Sequence, residues 1–212
     1  MPGGVQLTRD SHAAEQFARL LWQLIDRCAA FPMDVRLGPP PPWMEWDHAR
    51  PGTWPRSDEG DDDFNADPEP RWLDDVAARS RSILLDFHAR DVVGHVDWES
   101  QNIRWHRGRP HVVHDWDSAA ARPEATIAGA ASAEFTVSGE PPSSATIEET
   151  EFFLDAYQQA RGVAFTHEEL HAAWAAGLWV LAFNAKKTRA IARHATGAFA
   201  DEAWERLRRA TI

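Results

Sequence analysis

Between Arg36 and Pro70 stand eight of the chain's fourteen prolines, four of them consecutive at Pro39 to Pro42. The same stretch holds an acidic tract of Asp58, Glu59, Asp61, Asp62, Asp63, Asp67 and Glu69. Proline removes a backbone donor and clustered carboxylates repel one another, so neither helix nor sheet is expected across residues 36–70. The tract therefore splits the chain into one N-terminal helix and a body that begins near Trp72. Trp43, Trp46 and Trp54 argue that part of this irregular loop docks onto the body, because large aromatics dominate burial. The rest reads as a solvated connector, with an acidic rim that attracts a cationic ligand as the functional alternative.

At 212 residues the chain has room for one core-bearing domain, taken as residues 1–212. Lys and Arg total 22 against 33 Asp and Glu, a net charge of −11. Such a surface is a poor match for a polyanion, so neither a nucleic acid nor an anionic membrane is an expected partner. Cys28 stands alone, which excludes an internal disulfide and a metal-binding Cys pair. The N-terminus has no signal-peptide pattern, and no apolar run approaches the roughly 20 residues that span a bilayer, so a cytoplasmic location is expected.

Apolar residues at Ala14, Phe17, Leu20, Leu21, Leu24, Ile25 and Cys28 predict an amphipathic helix over 11–30, and Leu73, Val76, Ala77, Ser80, Leu84 and Phe87 predict a second over 72–89. The pattern then switches to β. Val92 and Val93 lead into Gly94-His95, and Ile103–Trp105 and His111–His114 flank a turn at Arg107-Gly108-Arg109. Beyond Asp117 everything reads as helix. Pro123-Glu124 suits a first turn, and Thr146 with Glu149 and Thr166 with Glu169 match capping boxes. Gly162 stops one helix, and a last one is expected over Ala198–Arg209. The fold class is thus mainly α with a small β-hairpin. Trp22, Trp72, Trp174, Trp179 and Trp204 fall on apolar helix faces and are expected in the core.

Only one region concentrates ionisable groups around turn chemistry: His95-Val96-Asp97-Trp98-Glu99-Ser100-Gln101-Asn102 and, past the hairpin, His114-Asp115-Trp116-Asp117. A hairpin centred on Gly108 sets Asn102 opposite about His114, so Asn102 and Asp115 emerge at the same open end, with Asp97 hanging over it. Oxygen donors from Asn102 and Asp115 suit a hard cation such as Mg²⁺, and the free carboxylate of Asp97 beside it could accept a hydroxyl proton. Glu99 reads as a solvated loop carboxylate. Lys186 and Lys187, with Arg189 and Arg193, read as a solvated basic helix face.

The spacing of His95, Asp97 and Asn102 fits the H-x-D-x-x-x-x-N catalytic loop of kinases, where a later Asp holds magnesium. With Asp115-Trp116-Asp117 in place of Asp-Phe-Gly, the region resembles the aminoglycoside phosphotransferase family, small-molecule kinases with a kinase-like fold. The resemblance covers roughly Trp72–Ala131. It implies that Asp97 is the base, that Asn102 and Asp115 hold Mg²⁺, that His95 braces the loop, and that ATP is the phosphate donor to a small-molecule hydroxyl acceptor, such as an aminoglycoside or related amino sugar. It leaves two roles open for Asp117, beside the metal or as cap of the next helix.

The chain also departs from the family pattern. Ala121-Arg122-Pro123-Glu124-Ala125-Thr126-Ile127 replaces the usual Gly-Asp-Pro, and Ile127 and Ala128 stand where a further Asp is usual. No Gly-rich hairpin and no Lys precede His95. The expected architecture is therefore the helical C-terminal lobe without the N-terminal β-lobe. Two alternatives accompany the phosphotransferase reading. One is a non-catalytic relative acting as a binding module or remnant. The other is a Zn²⁺ or Mn²⁺ hydrolase using His95, Asp97, His114 and Asp115, disfavoured because strand alternation turns His114 and Asp115 to opposite faces. The acceptor is expected against Glu148–Tyr157 and Trp174–Asn184.

Overall fold

The computed structural model describes residues 11–30, 37–58, 63–68, 70–107, 109–137, 144–192 and 199–211. The Gly108 turn centre, much of the acidic run at 59–62, Glu69 and the Ala198 helix start lie outside them. The order is α1 (Ser11–Cys28), α2 (Arg71–Asp86), β1 (Asp91–His95), β2 (Ile103–His106), β3 (Arg109–Val113), β4 (Ala119–Pro123), α3 (Glu124–Glu134), α4 (Ile147–Arg161), α5 (His167–Ala192) and α6 (Ala200–Arg209). The first two helices end before the predicted Ala30 and Ala89.

The expected all-helical stretch after Asp117 is corrected by β4. It pairs antiparallel with β1, from Asp91 opposite Pro123 to His95 opposite Ala119. The hairpin β2–β3 is a separate two-stranded sheet, with Ile103 opposite Val113 and a bulge at Arg104/Trp105. Ala119-Ala120-Ala121-Arg122-Pro123 has no β alternation of its own, and the strand exists because β1 offers it a ladder.

In α3 every residue from Ala125 to Glu134 is buried, and most are Ala, Gly or Ser. The small side chains let α5 cross α3 at near backbone contact. A Cβ on Gly129 would stand 2.0 Å from the Ala173 carbonyl oxygen, and one on Gly177 would stand 2.8 Å from that of Gly129. α1 buries Ala14, Phe17, Ala18, Leu21 and Ile25, and sets Phe17 against Trp105 and Phe135. Both capping boxes form, at Thr146/Glu149 and Thr166/Glu169. Gly162 closes α4 with φ 76°.

Trp174 and Trp179 are buried as expected, whereas Trp22 and Trp72 are only partly so. Trp204 is a correction: it is 37% exposed, with the Arg79 guanidinium over its ring. The core place on α6 belongs instead to Arg206, which is 0% exposed. Its guanidinium donates to Glu202, to Thr150 Oγ1 and to the Ala145 carbonyl, so the buried charge has the partners it needs.

The Pro-rich stretch is not a free connector. Trp46 and Trp54 are buried, and Trp54 stacks on Trp179 at 5.7 Å. Lys186, expected in solvent, is 2% exposed; it donates to Asp74 at 2.9 Å and to the Asp67 carbonyl. Lys187 pairs with Asp58 at 2.7 Å. The side chains of Arg189 and Arg193 lie outside the described structure.

The α3/α5 crossing yields a stability test. Gly129→Ala should destabilise the fold by about 2–3 kcal/mol, because backbone stands where the methyl must go. That is roughly 5–10 °C in Tm for a chain of this size by calorimetry. Gly38→Ala, with nothing within 4 Å of the added methyl, should shift Tm by only about a degree.

Candidate active site

The site grows from the end of β1. His95 is fully buried, and its Nε2 lies 2.9 Å from the His114 carbonyl oxygen across the two sheets. A carbonyl only accepts, so Nε2 carries the proton. The Asp97 amide donates to Nδ1 at 3.3 Å, so Nδ1 does not. The ring is therefore neutral, and burial lowers its pKa against the opposing pull of the His114 carbonyl, Asp115 and Asp117. Trp98 anchors the same loop in the core by donating Nε1 to the Phe17 carbonyl at 3.2 Å.

The predicted pairing of Asn102 with His114 forms, the His114 amide donating to the Asn102 carbonyl at 2.8 Å. The Asn102 side chain then turns inward. Its Nδ2 donates to the Asp97 carbonyl at 2.9 Å and to Asp97 Oδ2 at 2.8 Å. With the nitrogen so engaged, Oδ1 is the end of the amide left to accept. Asp115 occupies the left-handed region at φ 62°, a conformation Asp tolerates better than most residues, which redirects the chain out of β3. Ser118 Oγ donates to its Oδ2 at 3.4 Å. Asp97 stands beside Asp115, and its pKa rises to about 6, first through burial and then through Asp115; the Asn102 amide opposes both.

Asp97, Asn102 and Asp115 are thus brought together with His95 behind them. Asp117 does not cap the following helix. It lies exposed in a 3-10 turn over Trp116–Ser118, while α3 begins only at Glu124 with Pro123 as its N-cap. His114 is exposed, and both ring nitrogens of His95 face backbone groups. Among the described residues no three His, Cys, Asp or Glu side chains are placed to hold a metal, so the four-residue hydrolase set does not assemble.

Beside Asp97 opens a cavity of about 190 Å³, whose charged lining is Asp58, Asp97, Glu99, Glu134 and Lys187. The expected solvated state of Glu99 is corrected here. It is half-buried, and burial, then Asp97 and Glu134, push its pKa up to about 8, while it accepts from Gln101 Nε2. α5 contributes Val180, Asn184 and Lys187, inside or next to the expected stretch, whereas α4 contributes nothing to the lining. Glu134, from α3, was invisible to sequence reasoning: a Glu ending an Ala-rich helix carries no signal of burial. Trp43 and Asp58 come from the Pro-rich segment; of the acidic tract Asp58 alone lines the cavity among the described residues, and it is paired with Lys187.

Glu134 makes stability depend on pH. It is 6% exposed, and its pKa rises from 4.5 to about 7 through burial and the Asp97 charge, against Asn184, Arg206 and Ser144, with Glu99 also facing it. The folded state holds the proton more tightly than the unfolded state. The contribution is therefore complete below pH 4.5, is lost as pH rises to about 7, and is flat above. The loss is on the order of 3 kcal/mol. Glu134→Gln should narrow the difference between Tm at pH 5 and at pH 8 and raise Tm at pH 8; an unchanged difference contradicts this.

No family model and no curated protein matches the chain. Among solved structures, Plasmodium vivax ethanolamine kinase superposes with a TM-score of 0.55 at 14% identity, covering 100% of this chain and 63% of that one. A spectinomycin phosphotransferase solved with ADP and spectinomycin gives a TM-score of 0.49 at 13% identity, covering 98% of this chain and 64% of that one. The chain thus spans less than two thirds of the length of either. Among the described residues no helix is long and apolar enough to cross a membrane. The chain is mostly helical and shares its fold with the ethanolamine kinase over the matched length.

Proposed function

We propose that this chain is the catalytic lobe of an ATP- and Mg²⁺-dependent phosphotransferase that phosphorylates a hydroxyl of a small cationic molecule, with amino sugars the first class to examine. The observation that carries the reading is the single hydrogen-bonded unit of Asp97, Asn102 and Asp115, braced by the neutral imidazole of His95.

The donor set fits the implied metal. Asn102 offers Oδ1 because Nδ2 is committed to Asp97, and Asp115 offers a carboxylate. Oxygen donors with one or two carboxylates suit Mg²⁺, which keeps several waters and phosphate oxygens in its shell. When bound, Mg²⁺ neutralises charge on the phosphate oxygens.

This chain's own residues do the rest. Asn102 fixes the Asp97 carboxylate, which orients the acceptor hydroxyl and takes its proton as the hydroxyl oxygen bonds to the γ-phosphorus. The bond from that phosphorus to the ADP oxygen breaks. Asp58 is already paired with Lys187, but Glu99 and Glu134 would ionise against a positive group placed in the cavity beside Asp97, which favours a cationic acceptor.

Two measurements test the reading. Isothermal titration should show Mg-ATP binding to the wild type and much weaker binding to Asp115→Ala. Transfer from ATP to a panel of amino sugars and amino alcohols should fall by about 10²- to 10⁴-fold in Asp97→Asn. Nucleotide binding without transfer to any acceptor contradicts the catalytic assignment and favours the non-catalytic alternative. No binding at millimolar nucleotide contradicts the catalytic reading and leaves the non-catalytic one standing.

A further inference from the structure

Past His95 the β1–β4 ladder ends, and the backbone that carries Asp97 must find other partners. The Val96 amide donates to the Ser118 carbonyl at 3.0 Å. The Val96 carbonyl, on the peptide that leads into Asp97, accepts at 3.1 Å from Trp43 Nε1, which reaches it from 53 residues upstream. The same side chain lines the cavity together with Val96, Asp97 and Trp98.

Trp43 belongs to a segment held more firmly than its composition predicts. Pro42, Trp43 and Met44 form a 3-10 turn in which the Met44 and Glu45 amides donate back to Pro41 and Pro42, and Met44 is fully buried. Arg122 of β4 grips Asp47 with both terminal nitrogens at 2.8 and 2.7 Å, donates to the Met44 carbonyl at 2.7 Å and lies over the Trp46 ring at 4.8 Å. From α2, Arg81 donates to the Trp46 carbonyl at 2.6 Å and to the His48 carbonyl at 3.0 Å. Bidentate, stacked guanidinium contacts fix both position and orientation, which a lysine ammonium does not. Arg122 sits on the strand paired with β1, so the clamp and the Asp97 loop are built on one frame.

We propose that Trp43 is a positioning residue for Asp97, its indole N–H fixing the Val96–Asp97 peptide and its ring walling the cavity, with Arg81 and Arg122 holding it in place. The function of that positioning rests on the phosphotransferase reading; the positioning itself does not. A misplaced base costs rate steeply, since a displacement of about 1 Å can lower it by about 10²-fold.

The test uses the full chain. Trp43→Phe keeps a ring in the wall and removes the donor. Arg81→Gln loosens the clamp without touching the cavity, and Trp204→Phe on the exposed face of α6 is the control. Hydrogen exchange read on peptides covering residues 94–99 should be about 10-fold faster in Trp43→Phe and faster in Arg81→Gln, with exchange outside 42–48 and 94–99 unchanged and Tm within about 2 °C of wild type. In the transfer assay kcat should fall by about 10-fold in Trp43→Phe while KM for Mg-ATP holds, a split that general loss of fold does not produce. Trp204→Phe should match the wild type in both readouts. Wild-type exchange over 94–99 in Trp43→Phe overturns the proposal, as does an unchanged kcat beside a wild type that turns over. If Trp43→Phe does not fold, Arg81→Gln decides: faster exchange over both 42–48 and 94–99 supports the proposal, and wild-type exchange over 94–99 overturns it. A wild type with no turnover removes the phosphotransferase reading, and the exchange data alone then decide whether Trp43 holds the loop.

Discussion

The hydrogen bond from His95 Nε2 to the His114 carbonyl joins two sheets that share no strand. One sheet carries the loop with Asp97, and the other ends in the turn with Asp115. The bond works with the β1–β4 ladder, which sets Ala119 opposite His95, and with the Val96 amide on the Ser118 carbonyl to decide how the two carboxylates meet. The ring can do this only while neutral, because Nδ1 must accept the Asp97 amide as Nε2 donates, and full burial keeps it so. A motif histidine whose two ring nitrogens both face backbone groups thus helps set the geometry of residues that do the chemistry in the proposed reaction.

Beneath that junction the close crossing of α3 and α5 sets what the cavity can contain. Ala and Gly on α3 let the helices approach, and the approach brings Glu134 to the floor beside Asn184 and Lys187. Burying Glu134 and Glu99 so near Asp97 costs stability at neutral pH, since burial and the Asp97 charge push both of their pKa values upward and Glu134 adds to the rise at Glu99. A chain selected for stability alone has no use for this arrangement. An acceptor with a positive charge would relieve it, which is the physical sense of an acidic cavity in the proposed function.

The local signals in the sequence carried far. The hairpin register that sets Asn102 opposite His114, the two capping boxes and the Gly162 stop were all legible, because each depends on residues a few positions apart. What escaped depends on distant partners. β4 is an Ala-rich stretch that becomes a strand only against β1. Lys186 and Lys187 read as a solvated face because their acceptors, Asp67, Asp74 and Asp58, lie more than a hundred residues away. Glu99 and Glu134 looked ordinary because burial of a carboxylate leaves no mark on its neighbours in sequence. The Pro-rich tract announced irregular backbone correctly, yet Arg81 and Arg122 turn that backbone into a fixed wall.

The central claim is that Asp97, Asn102 and Asp115 form one site for a divalent cation carrying a nucleotide. Paramagnetic Mn²⁺ supplied with ADP and followed by amide NMR tests it most directly. The account predicts line broadening centred on residues 97–102 and 113–117, lost in Asp115→Ala while the spectrum otherwise keeps its folded dispersion. Broadening centred elsewhere, or broadening that survives Asp115→Ala, would contradict it.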